Sequence, residues 1–177
     1  MTLTPAEFLK IELDAGISAD NPLFMNLGKA TASAVQAMNL PIKTVLDYGA
    51  GVGVYSDAFH QAGYQVSTYE IWEEHRAYIR QKFPNLSIID KPVTTDLLLW
   101  IEVAEHMTDK EIDTLMQSIA PKYILFSSTS DKTDNDEAWG HINVKAQHEW
   151  VELFRSYGYN NRNEMSVPTT WTKLFSR

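Results

Sequence analysis

Hydrophobic and polar positions change period repeatedly along the chain, and each change marks an element. Leu27, Ala30, Ala34 and Ala37 share one face of a helix that starts at Asn21-Pro22 and runs to about Leu40, before Pro41. An earlier helix starts at Thr4-Pro5-Ala6-Glu7, with a hydroxyl cap, Pro at the first position and Glu at the third. Lys43 to Tyr48 reads as a buried strand running into the glycine loop Gly49 to Gly53. A helix follows and stops at Gly63. Tyr64 to Glu70 alternates as a second strand, Trp72 to Phe83 is a helix stopped by Pro84, and Leu86 to Asp90 is a short third strand. Asp96 to Ile101 is almost wholly apolar, as a central parallel strand is. Thr108-Asp-Lys-Glu111 is a capping box for a helix to about Ile119, and Lys122 to Ser128 is the fifth strand. Residues 129 to 145 read as a polar loop, Ala146 to Tyr157 as a helix, and Tyr159 to Val167 with Trp171 to Ser176 as two closing strands.

Strand and helix alternate, which predicts an α/β fold: a mostly parallel, seven-stranded sheet with helices on both faces and an antiparallel C-terminal strand. Residues 1–177 then form a single domain, with 1–40 as an N-terminal helical lid and 41–177 as the core. Ligands in such sheets bind at the carboxyl ends of the strands, where most of the chemically interesting residues here fall.

Composition narrows the chemistry. With no cysteine among 177 residues, disulfides, zinc–thiolate and iron–sulfur sites and cysteine nucleophiles are excluded, and a reducing compartment fits. Fifteen Lys and Arg against 23 Asp and Glu give a net charge of −8, which disfavours nucleic acid as a partner. The longest apolar run, Leu97 to Ile101, is far short of the ~20 residues of a membrane span. Met1 to Lys10 carries Glu7 and lacks the pattern of a signal peptide, so a soluble, cytoplasmic protein is expected.

Strand, glycine loop, helix is a cradle for nucleotide-like ligands, and an acid ending the next strand, here Glu70, suits a ribose diol. The same loop also reads as an ordinary tight strand–helix turn. Its spacing is not Gly-x-Gly-x-x-Gly. Asp47, two residues before the first glycine, repels a pyrophosphate and suits a ligand bearing ammonium or sulfonium. Asp47-x-Gly49-x-Gly51-x-Gly53 resembles motif I of the class I S-adenosylmethionine-dependent methyltransferases. Asp96-Leu-Leu-Leu-Trp-Ile-Glu-Val-Ala-Glu-His106 is similar to that family's fourth strand and following loop. Gly140-His-Ile-Asn143, with the helix through Trp150 and Phe154 to Gly158-Tyr159, is similar to its segment after the fifth strand. The resemblance spans roughly residues 44 to 160 and does not specify a substrate.

It implies a Rossmann-like methyltransferase fold, S-adenosyl-L-methionine as cofactor, and roles by position. Asp47, Gly49, Ala50, Gly51 and Gly53 belong to the methionine end. Glu70 holds the ribose hydroxyls, Ile71 and Trp72 flank the adenine, and Asp90 reaches its amino group. Ile101 and Glu102 line the methionyl side. Only Lys91 to Thr95 separate Asp90 from Asp96, a shorter stretch than the family's, and Asp90 also reads as a turn acid before Lys91-Pro92.

Methyl transfer from a sulfonium is governed by positioning, and a base is needed only where the acceptor loses a proton. His141 and His106, in the loops after the fifth and fourth strands, are the candidate catalytic bases; each also reads as a brace for its own loop. His60, His75 and His148 are expected to be solvated, Trp100 and Trp150 to be core, and Trp139 to touch substrate. Tyr78 and Lys82 have a dehydrogenase-like spacing but lie away from any strand end. Asn21-Pro-Leu-Phe24 is similar to the Asn-Pro-Pro-Tyr motif of amino methyltransferases, yet opens a helix before the first strand. The acidic run Asp131 to Glu137 lacks calcium-loop spacing and reads as a solvated loop, with a metal contact as the alternative; no His-Glu-x-x-His occurs, and no metal-ligating residue is assigned.

The leading expectation is methyl transfer to a small molecule at oxygen, nitrogen or carbon, with a second copy of the chain able to complete a shallow pocket. The rivals are a methyltransferase acting on nucleic acid or protein, a non-catalytic binding module on the same fold, and a nicotinamide-dependent oxidoreductase.

Overall fold

Two helices lead into the sheet, α1 (Pro5–Asp14) and α2 (Pro22–Ala37). The computed structural model describes residues 3–130, 132–133 and 136–177. The Thr4 hydroxyl accepts the Glu7 N–H, and the Glu7 carboxylate accepts the Thr4 N–H, which starts α1 as its sequence predicts. Asn21 caps α2 by accepting the Leu23 N–H while its amide donates to the Gly16 carbonyl.

The core then alternates: β1 (Thr44–Tyr48), α3 (Val54–Gln61), β2 (Gln65–Tyr69), α4 (Glu73–Lys82), β3 (Ser87–Ile89), β4 (Leu97–Ile101), α5 (Asp109–Ser118) and β5 (Tyr123–Ser127). A one-turn α6 (Asp136–Trp139) and α7 (Gln147–Ser156) precede β6 (Asn160–Met165) and β7 (Thr172–Ser176). Among the described residues the strands form one seven-stranded sheet, ordered β3-β2-β1-β4-β5-β7-β6. β1 to β5 are parallel, and β7 runs antiparallel to both β5 and β6. The order reverses between β1 and β4, which opens a crevice at their carboxyl ends.

The period of two along the strands sorts side chains between the faces. Leu46, Leu98, Trp100, Ile124 and Phe126 pack on Ile112 and Leu115 of α5 and on Trp150 and Phe154 of α7. Val45, Leu97, Leu99 and Leu125 meet Ala32 and Val35 of α2 and Ala58 and Phe59 of α3. Trp100 and Trp150 are core, as expected. At the end of the sheet remote from the crevice, Asp96 accepts the Lys43 and Thr44 N–H groups and pairs with Lys122, which holds its carboxyl well below the usual range.

The two N-terminal helices divide. α2 packs on α3 so closely that a Cβ at Gly28 would lie 2.9 Å from Val54 Cγ1. α1 buries no residue fully and lies against α4 at the crevice. Tyr78 and Lys82, set aside in the sequence, tie down the loop between α1 and α2: the Tyr78 hydroxyl accepts the Ala19 N–H, and Lys82 pairs with Asp20. The segment read as a loop over 129–145 contains α6, and Asp131, Asp134 and Asn135 of its acidic run lie outside the described residues.

α5 opens with the capping box of its sequence: Thr108 Oγ1 accepts the Glu111 N–H at 3.3 Å, and Glu111 accepts the Thr108 N–H at 2.8 Å. Thr108→Ala is expected to lower stability by about 1 kcal/mol in urea unfolding. A change within experimental error would show that tertiary packing alone sets this helix start.

Candidate functional site

The crevice holds a cavity of about 590 Å³ at the carboxyl ends of β1, β2, β4 and β5. Its floor is the turn after β1. The Gly49 and Ala50 N–H groups both donate to the Tyr69 carbonyl, at 2.9 and 3.0 Å, which locks the turn to the end of β2. Gly49 has φ +71°, and a Cβ there would lie 2.6 Å from Val103 Cγ1, so the turn and the loop after β4 touch with no room for a side chain.

Glu70 follows β2 and is buried. One carboxylate oxygen accepts the Gly51 N–H at 2.9 Å and the other accepts the Trp72 N–H at 3.0 Å. Burial raises its pKa, and the two backbone donors oppose that rise. Each oxygen keeps a lone pair for a further donor. Ile71 is 72% exposed at the cavity edge, an apolar surface open to a flat ligand.

The loop after β4 carries the acidic side. Glu102 has φ +52°, unusual away from glycine, and its carboxylate accepts from the Ser127 and Thr129 hydroxyls. Burial and the neighbouring Glu105 carboxylate push it up to about 7. A single 3-10 turn, Ala104–His106, follows. Glu105 is fully buried and accepts the Ser128 hydroxyl and the Thr129 N–H, each at 3.0 Å. Its backbone carbonyl accepts the Ile142 and Asn143 N–H groups, which folds the segment after α6 back over the site. His106 and His141 thereby meet, with ring centroids 4.8 Å apart. His106 Nδ1 faces the Gly140 carbonyl at 3.3 Å, and His141 Nδ1 faces Asp136 Oδ1 at 2.8 Å. Burial, then the neighbouring His141, lowers the His106 pKa.

The roof comes from α1. The Phe8 ring lies 5.1 Å from Trp72, 5.6 Å from His106 and 6.4 Å from Trp139, joining three walls. His75 corrects the sequence reading: expected to be solvated, it is 1% exposed, lines the cavity and meets Glu12 Oε2 of α1 at 2.6 Å. The polarity of α4 concealed this because the covering element is α1, which no local pattern points to. Five glutamates (12, 70, 102, 105 and 111) line the cavity, and among the described lining residues there is no Lys or Arg.

Of the residues singled out in the sequence, Gly49, Gly51, Glu70, Ile71, Trp72, Glu102, His106, Trp139 and His141 are brought together around this cavity. Asp47, Ala50, Gly53 and Ile101 sit behind its surface. Asp47 is buried under the glycine turn, where Oδ2 accepts the Ser56 hydroxyl at 2.6 Å and burial pushes its pKa up to about 6. Asp90 points elsewhere: its side chain is 85% exposed and paired with Arg76 at 2.5 Å, outside the cavity lining. The sequence reading gave no role to Phe8, Glu12 or Glu105. Glu105 lay inside a recognised motif, but its burial depends on the Ser128 hydroxyl and the Thr129 N–H, and its proximity to His141 on a chain reversal 36 residues away.

Comparison with known proteins bears on this arrangement. Residues 26–164 match a family model described as a methyltransferase domain. No curated protein sequence matches the chain. Among solved structures, the fold is similar to magnesium protoporphyrin IX methyltransferase from Synechocystis PCC 6803 with bound S-adenosylmethionine, at TM-score 0.65 and 16% identity over 99% of this chain and 84% of that one. It is similar to the pyocyanin biosynthetic protein PhzM at TM-score 0.66 and 15% identity, over 97% of this chain and 61% of that one. It is also similar to an S-adenosylmethionine-dependent methyltransferase from Archaeoglobus fulgidus, at TM-score 0.61 and 13% identity over 77% and 69%. The chain thus spans less than two thirds of PhzM, and identities this low speak for the fold alone.

Proposed function

Since the chain belongs to the methyltransferase-domain family, we propose that it transfers the methyl group of S-adenosylmethionine to a small-molecule acceptor at oxygen, nitrogen or carbon. The observation that carries this reading is the charge of the cavity: five glutamates and no Lys or Arg among its described lining residues, above a glycine turn at the sheet's reversal point. Such a lining repels phosphates and favours a ligand that carries ammonium and sulfonium, which fits this cofactor and disfavours a dinucleotide. When bound, the cofactor supplies an electrophilic methyl group.

The chain's own residues do the rest. The turn at Gly49 and Gly51 lets a ligand approach the backbone closely. Glu70, fixed by two backbone N–H groups, presents its remaining lone pairs to the ribose hydroxyls. Ile71 and Trp72 offer apolar faces for the adenine, and Glu102 closes the methionyl side. Phe8 and Trp139 exclude water over the reacting centre. An acceptor proton has two histidines to go to, His106 and His141, both at the cavity surface. The net charge of −8 argues against nucleic acid as acceptor. The cysteine-free composition suits a cytoplasmic setting, and among the described residues no helix is long and apolar enough to cross a membrane.

Calorimetric titration with S-adenosylmethionine and S-adenosylhomocysteine, with NAD as control, tests the reading. Saturable binding of the first two is expected, weakened roughly tenfold or more in Glu70→Gln, as for loss of a charged hydrogen-bond acceptor. Folded protein that binds neither, or binds NAD as well as either, would overturn it in favour of a non-catalytic module or an oxidoreductase.

A further inference from the structure

We infer that Glu105, His106 and His141 form a binding site for one divalent transition-metal ion in the wall of the cavity. One ligand atom of each lies within 4.8 Å of the others. Three atoms at that spacing surround a point less than 3 Å from each, so inward shifts of under ~1 Å bring all three to the ~2.0–2.2 Å of a metal–nitrogen or metal–oxygen bond.

The surroundings of the three residues are those a metal site requires. An imidazole that ligates through one nitrogen donates from the other to a carbonyl or carboxylate, which fixes its tautomer and orientation. His141 Nδ1 meets Asp136 Oδ1, and His106 Nδ1 meets the Gly140 carbonyl. A carbonyl only accepts, so His106 carries its proton on Nδ1 and leaves the Nε2 lone pair free. The Asp136 carboxylate selects the same tautomer at His141. Glu105 is held in turn: Ser128 Oγ donates to one oxygen and the Thr129 N–H to the other, leaving one lone pair on each. Glu102, on the same wall, adds a second carboxylate beside Glu105. Buried carboxylates need a cation, and the cavity lining offers no Lys or Arg among the described residues.

Two imidazoles with carboxylate oxygen select manganese, iron(II), cobalt or zinc over magnesium and calcium, which prefer oxygen alone. Three protein ligands leave open positions that face the cavity. The role of the ion rests on the methyl-transfer reading. A hydroxyl of the acceptor occupies an open position and is acidified there. Its oxygen forms the bond to the methyl carbon while the carbon–sulfur bond breaks; the sulfur keeps that electron pair as a neutral thioether, and the hydroxyl proton passes to water. The histidines are then ligands rather than proton acceptors, and oxygen is the acceptor atom.

The test is titration of the chelator-stripped full chain with cobalt(II), manganese(II) and magnesium(II), without S-adenosylmethionine, followed by calorimetry and, for cobalt, visible absorption. One cobalt ion per chain is expected, with ligand-field bands that show nitrogen ligation, and magnesium is expected to bind far more weakly. His106→Ala and His141→Ala should each weaken cobalt binding by about a hundredfold or more, and Asp136→Asn, which removes the carboxylate that orients His141, by about tenfold to a hundredfold. Cooperative unfolding of each variant controls for folding, which matters most for the fully buried Glu105 and makes the histidine variants the deciding ones. Absence of saturable cobalt binding, histidine variants that bind cobalt as tightly as the parent chain, or a preference for magnesium would overturn the inference. Loss of this site with S-adenosylmethionine binding intact removes the metal alone; failure of cofactor binding leaves a measured metal site standing.

Discussion

Gly49→Ala is expected to cost about 2–5 kcal/mol of stability and to abolish cofactor binding. The first contribution is backbone: φ at Gly49 is +71°, a left-handed conformation that costs an L-residue about 1–2 kcal/mol. The second is space. An added Cβ would lie 2.6 and 2.7 Å from the two methyl carbons of Val103, and overpacking of that kind costs about 1–3 kcal/mol. Val103 cannot retreat cheaply, because it sits between Glu102, already at positive φ, and the turn that buries Glu105. Any relief would therefore displace the acidic wall of the cavity. The pair Gly49→Ala with Val103→Ala should recover the steric part and leave the backbone part. Urea unfolding of the two variants reads both contributions, and a single-variant loss under about 0.5 kcal/mol would contradict the contact between these two loops.

Asp47→Asn is expected to remove a pH dependence worth about 3 kcal/mol. Burial lifts the folded-state pKa of Asp47 to about 6, against about 3.9 for an unperturbed aspartate; the Ser56 hydroxyl opposes that rise, and the Glu70 charge adds to it. The fold therefore favours the protonated form. Below about pH 4 the group is protonated in both states and its contribution is fully present. As pH climbs from about 4 to about 6, the unfolded chain has released the proton and the folded chain has not, so stability falls by about 1.4 kcal/mol per pH unit. Asparagine keeps an acceptor for Ser56 and carries no titrating proton, so this slope should disappear from the variant. Glu102, raised to about 7 by burial and by Glu105, continues the decline in both proteins, which keeps the comparison internal. Unfolding free energies at pH 4 to 8 decide the matter, and parallel profiles for parent and variant would refute the burial argument.

What the sequence disclosed follows from the range of the interactions involved. Strand positions and the glycine turn are local. An apolar run such as Leu97 to Ile101 can only be central, and Gly49 to Gly53 can only be a tight turn, so the sheet and its crevice were legible. Helix starts were legible for the same reason, since Thr4 with Glu7 and Thr108 with Glu111 are separated by three residues. The convergence of side chains was not. Glu12 meets His75 across 63 residues, and that pairing buried a histidine whose helix is otherwise polar. Glu105 acquires its hydroxyl partners and His141 its place near His106 only when the chain after α6 folds back onto the loop after β4. Asp90 is a different case: its place at the end of a strand suggested a ligand contact, and in the structure it is exposed and paired with Arg76 of α4.

The placement of β7 governs the order in which the chain can complete itself. This strand enters the sheet between β5 and β6 and is buried along its whole length. During vectorial synthesis the first five strands emerge before α7 covers one face of them, and the outer edge of β5, Tyr123 to Ser127, has no partner until Thr172 to Ser176 clear the ribosome. That edge carries Ile124, Leu125 and Phe126, a combination prone to pairing with neighbouring chains. Closure of the sheet is thus a late event in folding, and until it occurs the edge of β5 is the surface most prone to pairing with other chains.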